Sequence, residues 1–209
     1  MKLKNMIKKL GLFIGRMNPP HKGHIAVIEK ALSENDEVLI LLGSNGCVNE
    51  NNPLTFEQRK KILQKYFSKN QTTPSFSIRE GCPEDRMGSE CFPHLEINII
   101  KDTQTNQEWV QNISDSIQKY GNIKLNIYGG DFKNDSAILA IKKYESLLSE
   151  DISYIPVDRF LETINYNGED FHVSATNLRK ALRNGDKQFV EKFCNEELLQ
   201  DIMKYFTQK

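Results

Sequence analysis

The stretch Glu37 to Ser44, "EVLILLGS", is a continuous apolar run closed by a glycine and a serine. A strand with one wet face alternates apolar and polar residues, so an unbroken run of this length suits a strand covered on both faces, as in a parallel sheet. Upstream, Lys9 to Gly15 reads as a second buried strand. Between the two, "HKGHIAVIEKAL" carries Ile25, Val27, Ile28, Ala31 and Leu32 at roughly helical spacing. Strand, helix and strand in that order imply a right-handed crossover.

The alternation continues. "TFEQRKKILQKYF" places Phe56, Ile62, Leu63, Tyr66 and Phe67 mostly on one helical face, with Thr55 and Gln58 at capping-box spacing. Residues Ser68 to Pro93 mix Ser, Thr, Pro, Gly and charge, which predicts a loop-rich insertion with one strand at "SFSIRE". "LEINIIK" reads as a strand, "NQEWVQNISDSIQKYG" as a helix ended by Gly121, and "IKLNIYGGD" as a strand. "SAILAIKKYE" follows as a helix and "SYIPV" as a short strand. "SATNLRKALRNG" is a helix capped by Ser174 or Thr176 and stopped by Gly185, and "KQFVEKFCNEELLQDIMKYF" supplies terminal helices. The fold class expected is α/β: an open, doubly wound, mostly parallel sheet with helices on both faces and a C-terminal helical segment.

At 209 residues the chain fits one domain, 1–209, with 68–93 as an insertion and 186–209 as C-terminal helices. Lysine plus arginine (28) equal aspartate plus glutamate (28), so no global field favours nucleic acid or an anionic membrane. Any anion must be bound locally. Cys47, Cys82, Cys91 and Cys194 form no C-x-x-C pair and no disulfide framework, and the basic start lacks a signal h-region. No run reaches transmembrane length, and a reduced, cytoplasmic setting is expected.

The chemistry-bearing stretch is "GRMNPPHKGH", Gly15 to His24, at the exit of the first strand. In parallel sheets ligands sit beyond the carboxyl ends of the strands, where helix N-termini attract anions. Pro19 and Pro20 predict an extended path, Gly15 allows close backbone approach, and His21 and His24 share one helical face. Arg16 adds a guanidinium fork suited to phosphate. A solvated turn and a metal-binding pair are the competing readings of the histidines, the latter having only His94 and His172 as further partners. No glycine-rich stretch ends in Gly-Lys-Ser/Thr, and no G-x-G-x-x-G follows the first strand. A second anion-ready helix start is "VSATNLRKAL", with Arg179 one turn beyond Thr176; a plain helix cap is its simpler reading.

"HKGH" after a strand resembles the H-x-G-H signature of the nucleotidyltransferase superfamily, and "VSATNLR" resembles its I-S-S/G-T-x-x-R signature. "SNGCVNENNPLTFEQRKKIL", "NQEWV" and "YGGDFKNDS" are similar to stations of the nicotinamide mononucleotide adenylyltransferases of the archaeal and bifunctional bacterial type. The resemblance implies a Rossmann-like fold, ATP and nicotinamide mononucleotide as substrates, Mg²⁺ arriving with ATP, and no resident metal site. It implies His21, His24, Arg16 and Arg179 as catalytic groups on the phosphates, with Gly15, Gly23, Gly129, Asp131, Ser174 and Thr176 around ATP. Ser44, Asn52, Arg59 and Trp109 are expected at the mononucleotide, with Arg59 on its phosphate and Trp109 stacked on its pyridinium ring. The partners expected are these small molecules and no nucleic acid or membrane, with a homo-oligomer compatible. The alternatives are another phosphorylated acceptor, such as phosphopantetheine or a cytidylyltransferase substrate, and a non-catalytic nucleotide-sensing module.

Overall fold

The computed structural model describes residues 8–44, 46, 48–69, 94–130, 133, 135–148, 151–158 and 163–206. The chain alternates β1 (Lys8–Gly15), α1 (Lys22–Glu34), β2 (Glu37–Leu42), α2 (Phe56–Lys69), β3 (His94–Ile99), α3 (Asn106–Ile117), β4 (Ile123–Gly129), α4 (Ser136–Lys143) and β5 (Ile152–Pro156). A hairpin of β6 (Thr163–Tyr166) and β7 (Glu169–His172) follows, then α5 (Ala175–Arg183), α6 (Lys187–Phe193) and α7 (Glu196–Phe206). The first five strands form a sheet in the order β3-β2-β1-β4-β5, and every neighbouring pair is parallel. Leu12 lies opposite Leu39 on one side and Ile127 on the other. The chain steps outward from β1 to β3, then returns to lay β4 against the free side of β1. Strand order therefore reverses between β1 and β4, and a crevice opens there beyond the carboxyl ends.

Alternate residues of the central strands feed two separate cores, which is why the runs are apolar throughout. Phe13, Val38, Ile40 and Leu42 pack with Ile28 of α1, Leu63 of α2, Leu178 of α5, Val190 of α6 and Leu198 of α7. Leu12, Leu39, Leu41 and Ile127 turn to the other face, against Val110 and Ile113 of α3 and Ile138 and Ile141 of α4. Burying each such side chain is worth about 1.5–3 kcal/mol, so the two layers hold the strand ends firmly. Among the described residues no helix is long and apolar enough to cross a membrane.

Local signals in the sequence explain the element starts. Thr55 and Gln58 form the expected reciprocal cap of α2, with Gln58 N donating to Thr55 Oγ1 at 3.2 Å and Thr55 N to Gln58 Oε1 at 2.9 Å. Ser174, rather than Thr176, caps α5, accepting from Asn177 N at 3.2 Å. Gly121 and Gly185 adopt φ of 73° and 69°, where glycine is unstrained, and end their helical segments. The β6–β7 hairpin was not expected from the sequence. Its turn is Asn167-Gly168, with φ of 53° and 82°, the dipeptide that favours the left-handed turn matching strand twist. Residues 70–93, which hold nearly all of the expected insertion and its "SFSIRE" strand, lie outside the described residues. Ser68 and Lys69 instead complete α2.

Between α1 and β4 sits a buried polar knot. Asn35, the C-cap of α1, donates Nδ2 to Ala31 O and to Tyr128 Oη, each at 2.7 Å, and accepts from Asn126 Nδ2 at 2.7 Å. Tyr128 Oη donates onward to Glu34 Oε2 at 2.8 Å. Gly11 of β1 lies against this knot, leaving no room for a side chain: a Cβ there would stand 2.8 Å from Asn35 Nδ2. The knot fixes the far end of α1, so the start of the same helix is held at the crevice.

Candidate active site

At the β1/β4 crevice the described residues enclose a cavity of about 560 Å³, a size suited to a nucleotide-sized ligand. One wall comes from β1 and the start of α1. His21 occupies the N-cap position of α1 without a side-chain capping bond, and His24 lies in the first turn. Their rings stack with centroids 3.7 Å apart and planes at 31°, and the residues are 4% and 7% exposed. The two histidines are thus buried together on the cavity wall rather than solvated. Gly15 and Arg16 also line the cavity. A Cβ on Gly15 would make only ordinary contacts with Met17 and Phe13, so the protein's own packing does not demand glycine there. The Asn18–Pro19 peptide bond is cis, which interrupts the extended path expected from the prolines.

Another part of the wall is the start of α5, where Ser174, Thr176 and Arg179 line the cavity. Arg179 donates Nη1 to Asn18 O at 2.9 Å and Nη2 to Thr176 Oγ1 at 3.2 Å. Burial lowers its pKa from the ordinary arginine value, and the neighbouring charges of Arg16 and Arg183 lower it further. Arg16 and Arg179 thus form a local cluster of positive charge on the cavity wall, with Arg183 exposed outside it, in a chain of zero formal net charge. Such a cluster, beside a helix N-terminus, is built to take an anion of several charges.

The rest of the lining has a different character. Ser44 follows β2 with φ of 55°, and Asn51 and Asn52, Asp102 after β3 and Trp109 of α3 add to it. Trp109 is half-buried against the core beneath it while still lining the cavity. Asp135, which also lines the cavity, caps α4 by accepting from Ala137 N at 3.0 Å and Ile138 N at 3.3 Å. The lining combines groups that can hold polyphosphate with groups that can meet an aromatic, cationic or hydrogen-bonding one.

Three of the residues expected at the site stand apart from the cavity wall. Arg59 is fully buried, and its guanidinium donates to backbone: Nη1 to Arg16 O and to Gly43 O (2.7 Å), Nη2 to Ser44 O (3.2 Å) and Nε to Thr55 O (3.3 Å). Arg59 was expected on a substrate phosphate; in the structure it ties together the exits of β1 and β2 and does not line the cavity. Burial pulls this guanidinium down to about 10, opposed by Asp102, and it stays charged at neutral pH. Gly23 does not line the cavity either, because helical rotation of about 100° per residue turns it away from the face of His21 and His24. Gly129 is buried in the sheet, its carbonyl committed to Val157 N at 2.7 Å. Asp131 lies outside the described residues. Gly15, Arg16, His21, His24, Ser44, Asn52, Trp109, Ser174, Thr176 and Arg179 are brought together.

Asn18, Asp102 and Asp135 are cavity residues that the sequence reading missed. Asp135 carried a usable signal, as an N-cap residue directly before an apolar helix. Asn18 lay inside the quoted histidine stretch. Its side chain makes a two-way clamp with a distant backbone, Nδ2 donating to Leu54 O and Oδ1 accepting from Leu54 N, each at 2.9 Å.

Residues 12–181 match the family model described as cytidylyltransferase-like. The nicotinamide-nucleotide adenylyltransferase of Caldivirga maquilingensis is 48% identical over 56 residues, which cover 26% of this chain and 32% of that one. The nicotinamide/nicotinic acid mononucleotide adenylyltransferase of Acinetobacter baylyi is 23% identical across 93% of this chain and 92% of its own. Among solved structures, the bifunctional NMN adenylyltransferase/ADP ribose pyrophosphatase from Francisella tularensis superposes with a TM-score of 0.60 at 22% identity, over 96% of this chain and 52% of that one. The match thus spans about a third of the first relative's length, and this chain about half of the solved structure's. That likeness of structure speaks for the fold. With four-fifths of its length under the family model, the chain belongs to the cytidylyltransferase-like family, within the nucleotidyltransferase superfamily.

Proposed function

We propose that the chain is an adenylyltransferase that joins the AMP moiety of ATP to nicotinamide mononucleotide, giving NAD and pyrophosphate. The observation that carries this reading is the mixed lining of one cavity, which brings stacked histidines and arginines together with Trp109, Ser44 and Asn52. The names of the relatives point the same way.

In this reading the 5′-phosphate of the mononucleotide attacks the α-phosphorus of ATP. A new P–O bond forms there as the bond to the α,β-bridging oxygen breaks, and pyrophosphate leaves with that electron pair. A phosphate monoester has a second pKa near about 6, so the nucleophile is already an anion at neutral pH and needs no general base. The chain's task is alignment and charge stabilisation. His21 and His24 donate to oxygens at the α-phosphorus, where charge develops, while Arg16, Thr176 and Arg179 hold the departing β- and γ-phosphates. Ser174 fixes the start of α5. Trp109 offers its indole face to the pyridinium ring, a pairing worth about 0.5–2 kcal/mol.

Mg²⁺ is proposed to arrive on the triphosphate and to neutralise its charge. Among the described residues no three His, Cys, Asp or Glu groups converge, but Asp102 and Asp135 line the cavity. Such a cation needs only one or two carboxylates beside phosphate and water oxygens, so this donor set fits.

The test is pyrophosphate release from ATP with a panel of acceptors. NAD and pyrophosphate should form in equal amounts with nicotinamide mononucleotide. Turnover confined to phosphopantetheine, or to CTP with a phosphorylated alcohol, would replace the acceptor, and ATP binding without turnover on any acceptor would favour a sensing module.

A further inference from the structure

The segment 49–54 forms part of the cavity wall through Asn51 and Asn52, yet it belongs to no helix or strand. Its shape is set internally by Asn49, whose Oδ1 accepts from Asn51 N and Asn52 N, both at 2.9 Å. Asn49 N and Asn52 N also donate to each other's carbonyls at 3.1 Å. The segment is anchored in the core at its end, where Leu54 is buried, while Asn51 and Asn52 stand toward the cavity.

Beyond that packing, two hydrogen-bonded fastenings lead to the same helix. At its far end, Leu54 is clamped by the side chain of Asn18, which is 1% exposed, and the carbonyl of Asn18 accepts from Arg179 of α5 at 2.9 Å. In its middle, the carbonyl of Glu50 accepts from Nη2 of Arg183, one turn further along α5. Arg183 does not line the cavity and sits exposed on the outside of the joint. Its charge is nonetheless close enough to Arg179 to lower that group's pKa. Successive arginines on one face of α5 thus reach the wall by separate routes.

We propose that Asn18 and Arg183 are positioning residues that fasten the acceptor wall, 49–54, to the phosphate-binding helix α5. The terms acceptor and phosphate rest on the proposed function; the fastening does not. Arg183 acts through the segment it holds and touches neither substrate. A charged donor on a carbonyl is worth more than a neutral one, and its loss lets the turn carrying Asn51 and Asn52 drift from the ring it should meet.

Arg183→Ala is the primary test because Asn18 is buried and Asn18→Ala can fail to fold. Two readouts are taken on the full chain: amide hydrogen exchange over 49–54, and steady-state kinetics with each substrate varied. We expect exchange at 51 and 52 to quicken, and KM for the mononucleotide to rise, each by about tenfold, the scale of one charge-assisted hydrogen bond. KM for ATP and kcat should stay within about twofold, and Arg183→Lys should recover most of the loss, since an ammonium also donates to a carbonyl. Unchanged exchange overturns the proposal, as does a rise in KM for ATP with the acceptor KM unmoved, which would make Arg183 a triphosphate ligand. Should the wild-type chain form no NAD while Arg183→Ala still loosens 49–54, the functional reading fails and the fastening stands.

Discussion

At the scale of single residues, the histidine pair and Arg59 show opposite uses of a buried hydrogen-bonding side chain. His21 and His24 lie on the cavity wall with rings 3.7 Å apart, positioned by the first turn of a buried helix. His24→Ala should lower kcat by about a hundredfold to a thousandfold, the usual cost of one preorganised donor, with an unchanged circular dichroism spectrum and melting cooperativity. Arg59 serves structure. Arg59→Leu strips donors from the carbonyls of Arg16, Gly43 and Ser44, so urea unfolding should reveal a loss of about 3 kcal/mol or more. Loss of mononucleotide affinity with full stability would restore the phosphate-binding role expected from sequence. The histidines were legible because their spacing fixes a face whatever surrounds them. The role of Arg59 was not, since an amphipathic helix says which side is buried but not whether a buried guanidinium meets a ligand or a set of carbonyls.

At the scale of elements, β1, β2 and β4 were readable because their apolar runs face a core on both sides, and the helices because each buries one periodic face. The hairpin β6–β7 escaped because its strands are four residues each and mostly exposed, leaving the Asn167-Gly168 turn as its only strong mark. Elements also meet at places that no pattern marks, as at Gly11. The Cβ of Gly11→Ala would meet Asn35 Nδ2 at 2.8 Å, and Asn35 cannot swing aside without breaking bonds to Ala31, Tyr128 and Asn126. Differential scanning calorimetry should show a destabilisation of about 1–3 kcal/mol, the usual cost of overpacking. A neutral substitution would mean that the knot is slack.

At the scale of the whole molecule, charges balance overall but are sorted locally, and acid exposes one such local group. Glu96 of β3 is pushed up by burial, but hydrogen bonds from Lys119, Tyr120 (2.7 Å) and Asn98 (2.6 Å) outweigh this and hold it below its ordinary value of 4.5. A depressed carboxylate stabilises the fold above its unfolded pKa, and that contribution is lost as pH falls through the folded value. The stability gap between the wild type and Glu96→Gln should therefore be widest at neutral pH and close as the solution is acidified. Thermal melts of both proteins across the acid range read this directly, and a constant gap would remove Glu96 from the account.

The reversal of strand order between β1 and β4 also bears on how such a molecule can diversify. The groups assigned to the phosphates hang on β1, α1 and α5, whereas those facing the acceptor hang on the connections that leave β2 and β3. Reaction and selectivity are thus carried by different stretches of chain, joined by the sheet and by the bonds of Asn18, Arg59 and Arg183. Exchanging the β2 and β3 connections for those of another member of the superfamily is a route to a new acceptor with the same chemistry, provided the graft keeps a partner for the amide of Asn18.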